Sequence, residues 1–365
     1  MAELETATNA PITFIELELL IRRIIEDFTL INATQIKKEL HNLSDKQANT
    51  IGLSVQDFID YNTKKNSFGK SAFTYLYHIN YLLQKLVEKS VINKVSSLGG
   101  LPMLGDMYVS LNMPSPEEEW LKITSYAEYL GLDYVRERIS PFTAIIIVCD
   151  DKGDNHIGSG LLISTNHILT CLHVVEGVEI KEVLVKEEQY AIRNIYKSDS
   201  KDIAVIEILD CPLNPENDVV FSSGQVLDTI LTFGYPPISR IRETPLIVQK
   251  GEINAISTNY NGDKCLIYSS VVRPGNSGGP IFSDKGYFVG MVTEHLERKT
   301  SINTIFVDKD NSVEEQIQSL CDQINMIPQV VPFYAGLTAR EIFEELKLLK
   351  PELVVSCEWS RMVYS

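Results

Sequence analysis

The stretch Pro274-Gly-Asn-Ser277-Gly-Gly-Pro280 constrains this chain more than any other, because few backbones accommodate three glycines and two prolines around one serine. Glycines at 275, 278 and 279 let main-chain N–H groups converge on one point, and let another backbone lie where a Cβ would collide. A nucleophilic serine needs both. Its hydroxyl attacks a peptide carbonyl only when a base removes the proton and donors stabilise the developing oxyanion. Ser277 is therefore a candidate nucleophile.

Of the six histidines, His173 stands at the end of a buried-looking apolar strand, Ile168-Leu-Thr-Cys-Leu-His173-Val-Val, and is the candidate base. Asp202 heads the apolar run Asp202-Ile-Ala-Val-Ile-Glu-Ile, where an acid can hold the imidazole and stabilise its cation. Asp199 is the rival acid; the strand beginning directly after Asp202 favours the latter. The chain order His, Asp, Ser is one of three in which this triad recurs. Taken singly, each residue has a plainer reading: His173 as a core histidine bonded to a carbonyl, Ser277 as a hairpin tip.

Three more segments fall in order around them: Gly158-Ser-Gly160-Leu-Leu-Ile, Leu231-Thr-Phe-Gly234-Tyr-Pro236 and Gly286-Tyr-Phe-Val-Gly290-Met-Val. Together the six segments, spread over residues 141–310, resemble the trypsin-like, chymotrypsin-fold serine peptidases of the short-looped, HtrA-like bacterial branch. The resemblance implies a double β-barrel with His173 as general base, Asp202 as its orienter and Ser277 as nucleophile. It places the oxyanion hole on Gly275, Asn276 and Ser277, with the N–H groups of Gly275 and Ser277 as donors. It puts Val271 at the floor of the substrate pocket and Thr293, Glu294 and His295 along its wall. Two pockets fit these residues: an uncharged one for small aliphatic side chains, or a polar one in which His295 reads a carboxylate or amide. Glu294 turned inward would instead admit a basic side chain. No cleavage site that would free an activating amino terminus is visible, so a partner that orders the loops around Arg273–Gly275 is the expected switch. The tail after residue 311 is too short and too helical for a PDZ domain.

Charge narrows the partners. With 33 basic against 49 acidic residues the net charge is −16, which disfavours nucleic acid and anionic membranes and favours a protein or peptide. The acidic start Met1-Ala-Glu-Leu-Glu is no signal peptide, and no apolar run is long enough for a bilayer, so a cytoplasmic location is expected. Cysteines 149, 171, 211, 265, 321 and 357 lack the close spacing of a zinc site or disulfide framework and read as mostly buried free thiols. No cofactor or metal is expected. Strand alternation would set Cys171 on the same side as His173.

The organisation is multidomain α and β: a helical adaptor-like domain (1–100), a helical linker (101–140), the protease domain (141–310) and a short helical C-terminal extension (311–365). Leu17, Leu20, Ile24 and Phe28 recur at helical spacing, and further helices are expected from Thr34 to Leu43, Ser54 to Tyr61 and Ala72 to Ile92. Tyr75, Tyr77 and Tyr81 are expected to form an exposed patch. Gly99, Gly100 and Pro102 break the helices, and Ser115-Pro-Glu-Glu118 signals a new start. Beyond Pro141, β-branched runs such as Ala144–Cys149 predict strands to about Phe306. Ser312 with Glu315, and Thr338 with Glu341, are capping boxes for two last helices. The N-terminal helices resemble in arrangement the adaptor or effector-associated domains of bacterial defence systems, which implies binding to a sensor. A plain helical cap is the alternative. For the whole chain two functions stand: a cytoplasmic serine endopeptidase acting on a signal, with antiviral defence as its expected setting, or a catalytically idle protease-fold module that docks peptides.

Overall fold

A computed structural model describes residues 12–44, 48, 51–97, 103–110, 120–294 and 333–356. The chain divides into two compact units, Met1–Tyr134 and Val135–Ser365.

In the first unit, helix α1 (Phe14–Asp27) opens with a reciprocal capping box. Glu16 N–H donates to Thr13 Oγ1 at 3.2 Å, and Thr13 N–H donates to Glu16 Oε2 at 2.9 Å. Its buried face carries Leu20, Ile21, Ile24 and Ile25, the spacing the sequence suggests. Helix α2 (Leu30–His41) starts four residues before Thr34, because Thr29 is its N-cap and the chain turns directly out of α1. Helix α3 (Val55–Lys64) is capped by Ser54, and α4 (Leu76–Glu88) follows a 3₁₀ turn over Ala72–Tyr75. Phe28 packs against Phe58 of α3 and edge-on against Tyr108. Tyr108 lies on a small antiparallel sheet that the sequence pattern did not suggest: β1 (Leu53–Ser54), β2 (Asn93–Ser97) and β3 (Asp106–Val109), in the order β1-β3-β2. The expected exposed trio of tyrosines is a pair. Tyr77 and Tyr81 face solvent, whereas the 3₁₀ turn rotates Tyr75 inward, where its hydroxyl donates to Glu16 Oε1 at 2.7 Å. Short helices α5 (Ala127–Leu130) and α6 (Leu132–Ile139) lead to the second unit. The Ser115 helix start and the Ser312 capping box lie outside the described residues.

The second unit is a double β-barrel built from two seven-stranded sheets. The first contains β4 (Thr143–Cys149), β5 (Asn155–Ser164), β6 (His167–Thr170), β7 (Glu179–Val185), β8 (Glu188–Gln189), β9 (Ile192–Lys197) and β10 (Ala204–Ile208), in the order β8-β7-β4-β5-β6-β10-β9. One helical turn, α7 (Leu172–Val175), interrupts it after β6. The second contains β11 (Val220–Phe221), β12 (Thr229–Gly234), β13 (Ile247–Thr258), β14 (Lys264–Tyr268), β15 (Pro280–Ser283), β16 (Tyr287–Glu294) and β17 (Tyr334–Thr338), in the order β11-β16-β15-β12-β13-β14-β17. Pairing of β16 with β17, from Gly290 opposite Thr338 to Glu294 opposite Ala335, closes six of these strands into a ring. Ile230, Ile253, Leu266, Tyr268, Ile281, Val289 and Val292 are among the side chains that pack its core.

The closing strand falls within the range read as a helical extension. Tyr334–Thr338 is only five residues long with a glycine at its centre, which weakens any strand signal, and its place between β14 and β16 makes it a strand. The helix expected after it is present: α8 (Ala339–Leu349) is N-capped by Thr338, and α9 (Pro351–Ser356) follows.

Candidate active site

Register brings the first two residues together. Strands β6 and β10 run antiparallel with Thr170 opposite Ala204, so residues just after Thr170 face those just before Ala204. His173 and Asp202 occupy those two continuations. His173 is not on a strand as expected. The strand ends at Thr170, and Cys171 precedes the single turn α7 that carries the imidazole. Asp202 accepts twice from it: the His173 main-chain N–H donates to Oδ1 at 3.0 Å, and Nδ1–H pairs with Oδ2 at 2.8 Å. This fixes the tautomer with the proton on Nδ1 and makes Nε2 the basic nitrogen. Burial pushes the Asp202 carboxyl up, but hydrogen bonds and charge from His173, helped by the Cys171 thiol, outweigh it and hold the group below its ordinary range. The fold therefore favours the ionised carboxylate beside the imidazole.

Ser277 arrives from the second barrel and is pinned to the first. Its carbonyl accepts from Ser159 N–H at 2.8 Å, and the next residue, Gly278, lies against Ser159, Thr170 and Cys171. A Cβ on Gly278 would stand 2.1 Å from Ser159 O and 2.3 Å from Thr170 Oγ1, at a φ of +85° that also disfavours any side chain. The serine is thereby set beside the segment that bears His173.

The turn before it explains the glycine at 275. Asn276 N–H donates to Arg273 O at 2.9 Å across Pro274 and Gly275, and Gly275 has φ +102°. Proline at the second position and positive φ at the third define a type II turn. Type I would flip the central peptide and with it the Gly275 N–H. The main chain then alternates. Asn276, Gly278 and Gly279 donate to Arg273 O, Val292 O and Asn276 O, while among the described residues the N–H groups of Gly275 and Ser277 have no acceptor. Two unengaged donors on either side of a bonded one are what an anion-binding concavity would require. Asn276, also expected in the hole, uses its N–H inside the turn, and its side chain is buried with Oδ1 unpartnered.

Two supporting residues, Ser159 and Thr170, escaped the sequence reading, and a third, Cys171, was marked there only for lying on the side of His173. Ser159 Oγ donates to Gly275 O at 2.7 Å and accepts from Tyr235 N–H at 2.9 Å, tying the turn to both barrels. Thr170 Oγ1 donates to Ser159 O at 2.7 Å. Cys171 is fully buried, and its thiol donates to Val292 O at 3.2 Å. A serine flanked by Gly158 and Gly160, inside a segment already marked, was the available signal for Ser159. Cys149, Cys171, Cys211 and Cys265 are free thiols. Cys321 and Cys357 lie outside the described residues.

Of the expected pocket residues, Val271 is half-exposed six residues before the serine, and Thr293 is half-buried on β16. Glu294 continues that strand, and His295 lies outside the described residues.

Residues 158–291 match the family of the trypsin-like peptidase domain. Over those residues the chain carries a trypsin-like peptidase domain. It is 29% identical over 147 residues to the uncharacterized protein y4bJ of Sinorhizobium fredii (strain NBRC 101917 / NGR234), covering 38% of this chain and 22% of that one. It is 23% identical over 200 residues to a probable periplasmic serine endoprotease DegP-like of Marinomonas sp. (strain MWYL1), covering 52% of this chain and 40% of the other. The chain thus spans less than half the length of these curated relatives. Similar solved structures include the active form of the Rv3671c protease from M. tuberculosis, with TM-score 0.43 and 17% identity over 59% of this chain and 84% of that one. The HtrA-type protease AlgW with a tripeptide has TM-score 0.43 and 17% identity over 60% of this chain and 63% of that one.

Proposed function

We propose that this protein is a serine endopeptidase that hydrolyses a protein substrate through an acyl-enzyme. Ser277 Oγ attacks the scissile carbonyl while His173 Nε2 takes its proton. Asp202 stabilises the imidazolium, and the oxyanion settles on the N–H groups of Gly275 and Ser277. The proton then passes from His173 to the leaving amine, and water repeats the sequence on the ester. The observation that carries the reading is the coincidence of an imidazole locked by two hydrogen bonds to Asp202 with a turn that leaves those two N–H groups unengaged.

Val271, Thr293, Glu294 and His295 are assigned to the substrate pocket, and a pocket without an acid at its floor favours uncharged side chains before the cut. The solvent-facing Tyr77 and Tyr81 support a recruitment surface for a sensor or adaptor within residues 1–100. The buried free thiols Cys171, Cys211 and Cys265 support a reducing, cytoplasmic compartment. No helix among the described residues is long and apolar enough to cross a membrane. A signalled, defence-type pathway is the setting that such a fusion of adaptor and protease suits.

A serine-directed fluorophosphonate tests the chemistry. It is expected to label the wild-type chain and not Ser277→Ala; absence of label on folded wild type would mark the domain as an idle docking module.

A further inference from the structure

The loop that ends in Asp202 is held from outside the triad. Ser198 is buried, and its hydroxyl is the hub: Oγ accepts from Ser200 N–H at 3.2 Å and from Lys201 N–H at 2.9 Å. The Ser198 main-chain N–H donates to Ile203 O at 3.0 Å, closing the loop around Asp202. A hydroxyl with both lone pairs engaged has one proton left to direct. That proton goes to Glu345 of α8, buried, at 2.6 Å, and Ser200 Oγ also points to the same carboxylate at 3.5 Å. One turn earlier on the helix, Glu341 pairs with Lys201, the residue adjoining Asp202, and Lys201 bridges on to Asp263 at 3.1 Å. At the far end Lys350 reaches Tyr196 at 3.0 Å and Glu207 at 3.4 Å, on the two strands flanking the loop. Successive polar side chains along the C-terminal helix thus seize one loop, and that loop presents the acid.

We propose that α8 is a clamp that positions Asp202 against His173, with Glu345 as its key positioning residue acting through Ser198. This rests on the peptidase reading for its effect on rate, but the coupling itself is a property of the folded chain. A buried carboxylate is costly unless its hydrogen bonds are made, and a charge-assisted bond from a hydroxyl is stronger than a neutral one. The Glu345–Ser198 contact is therefore a stiff link rather than a surface tether. Loosening it lets the 198–203 loop relax, which lengthens both bonds from His173 to Asp202. Substrate-facing residues are untouched, so the loss falls on kcat and not on KM.

The test uses the full chain bearing Ser198→Ala, Glu345→Gln or Glu345→Ala, with histidines labelled at Cε1 and His173 assigned by the signal missing in His173→Gln. The pH midpoint of the His173 resonance is followed by NMR, and kcat and KM are measured beside it. Ser198→Ala is decisive, because it breaks the link while leaving the Glu345 charge in place and is well tolerated sterically should Glu345→Ala fail to fold. In Ser198→Ala the His173 midpoint is expected to fall by about half a pH unit or more, since a retreating carboxylate favours the imidazolium less. The same variant is expected to lose about tenfold in kcat with KM unchanged within about twofold. Glu345→Gln, which keeps an acceptor, is expected to lie between Ser198→Ala and wild type. A lowered melting temperature with an unmoved His173 midpoint would reduce α8 to scaffolding and overturn the proposal. Should the chain lack turnover altogether, the midpoint still decides the clamp, and the peptidase reading alone falls.

Discussion

Asp202 sits where burial and pairing pull in opposite directions, and pairing wins. A carboxyl held low in the fold contributes stability above its ordinary value of 3.8 and surrenders it as pH falls through the lowered folded value, so its acid loss begins only below the range where imidazole titrates. Asp202→Asn should lower kcat by about 10⁴-fold by stranding the wrong tautomer, as stopped or steady-state kinetics would show. Asp27, buried in the N-terminal unit, is the opposite case. Burial pushes its carboxyl up to about 6 against the hydrogen bond from Asn62 Nδ2 at 2.8 Å. The folded state then holds a proton that the unfolded state gives up between pH 3.8 and about 6, so stability falls as pH rises through that window. Asp27→Asn is expected to stabilise the unit at pH 7 by up to about 3 kcal/mol and to flatten that slope in denaturant titrations. His173, Asp202 and Ser277 were legible as candidates in the sequence because they fall in order among glycine-marked segments. Ser159 and Thr170 were not, because their work is done by geometry across 116 and 11 residues of chain.

At the scale of elements, the turn over Arg273–Asn276 couples local sequence to the site. Pro-Gly at its centre is the signature of type II, and only glycine fits, since a Cβ on Gly275 would stand 2.8 Å from Pro236 Cα and Tyr235 O. Gly275→Ala is expected to flip or displace the peptide, abolishing fluorophosphonate labelling while the fold survives. Gly278→Ala meets main-chain oxygen at 2.1 Å as well as an unfavourable φ, and is expected to cost more than about 3 kcal/mol by chemical denaturation. The helical turn α7 was hidden from the pattern: Leu172, Val174 and Val175 read as strand, and pairing of β6 with β10 ends at Thr170, freeing the chain to wind. Helix α1 was legible from its apolar spacing and α8 from its cap Thr338 beside the apolar stripe it serves, whereas the cap Thr13 of α1 emerged only in the fold. Glu341 shows the limit of such reading. Its backbone N–H is capped by Thr338, while its carboxylate serves Lys264 N–H and Lys201 instead of closing the box.

Over the whole molecule, the two units are expected to answer pH in opposite senses. Burial and the Lys350 ammonium press His167, in the barrel unit, down to about 4 from 6.5. There the unfolded chain binds the extra proton, so that unit loses stability as pH falls from 6.5 to about 4, while the Asp27 unit gains it over much of the same range. Calorimetry of the full chain, with His167→Gln and Asp27→Asn marking each transition, would show whether the two midpoints converge on acidification. The barrel also depends on its last strand: removing the chain from Tyr334 onward is expected to open the ring between β14 and β16 and to abolish both cooperative melting and labelling. By itself, the sequence marked His173, Asp202 and Ser277 as candidates through their order among neighbouring glycine segments, and it set out most of the elements, because glycine geometry, β-branched runs and helix caps are local. Tertiary structure decided what joins distant positions: the register that sets Asp202 on His173, the closing of the ring by Tyr334–Thr338, and the grip of α8 on the acid's loop. Those are contacts between residues far apart in the chain, and they acquire a free energy only once packing has brought them together.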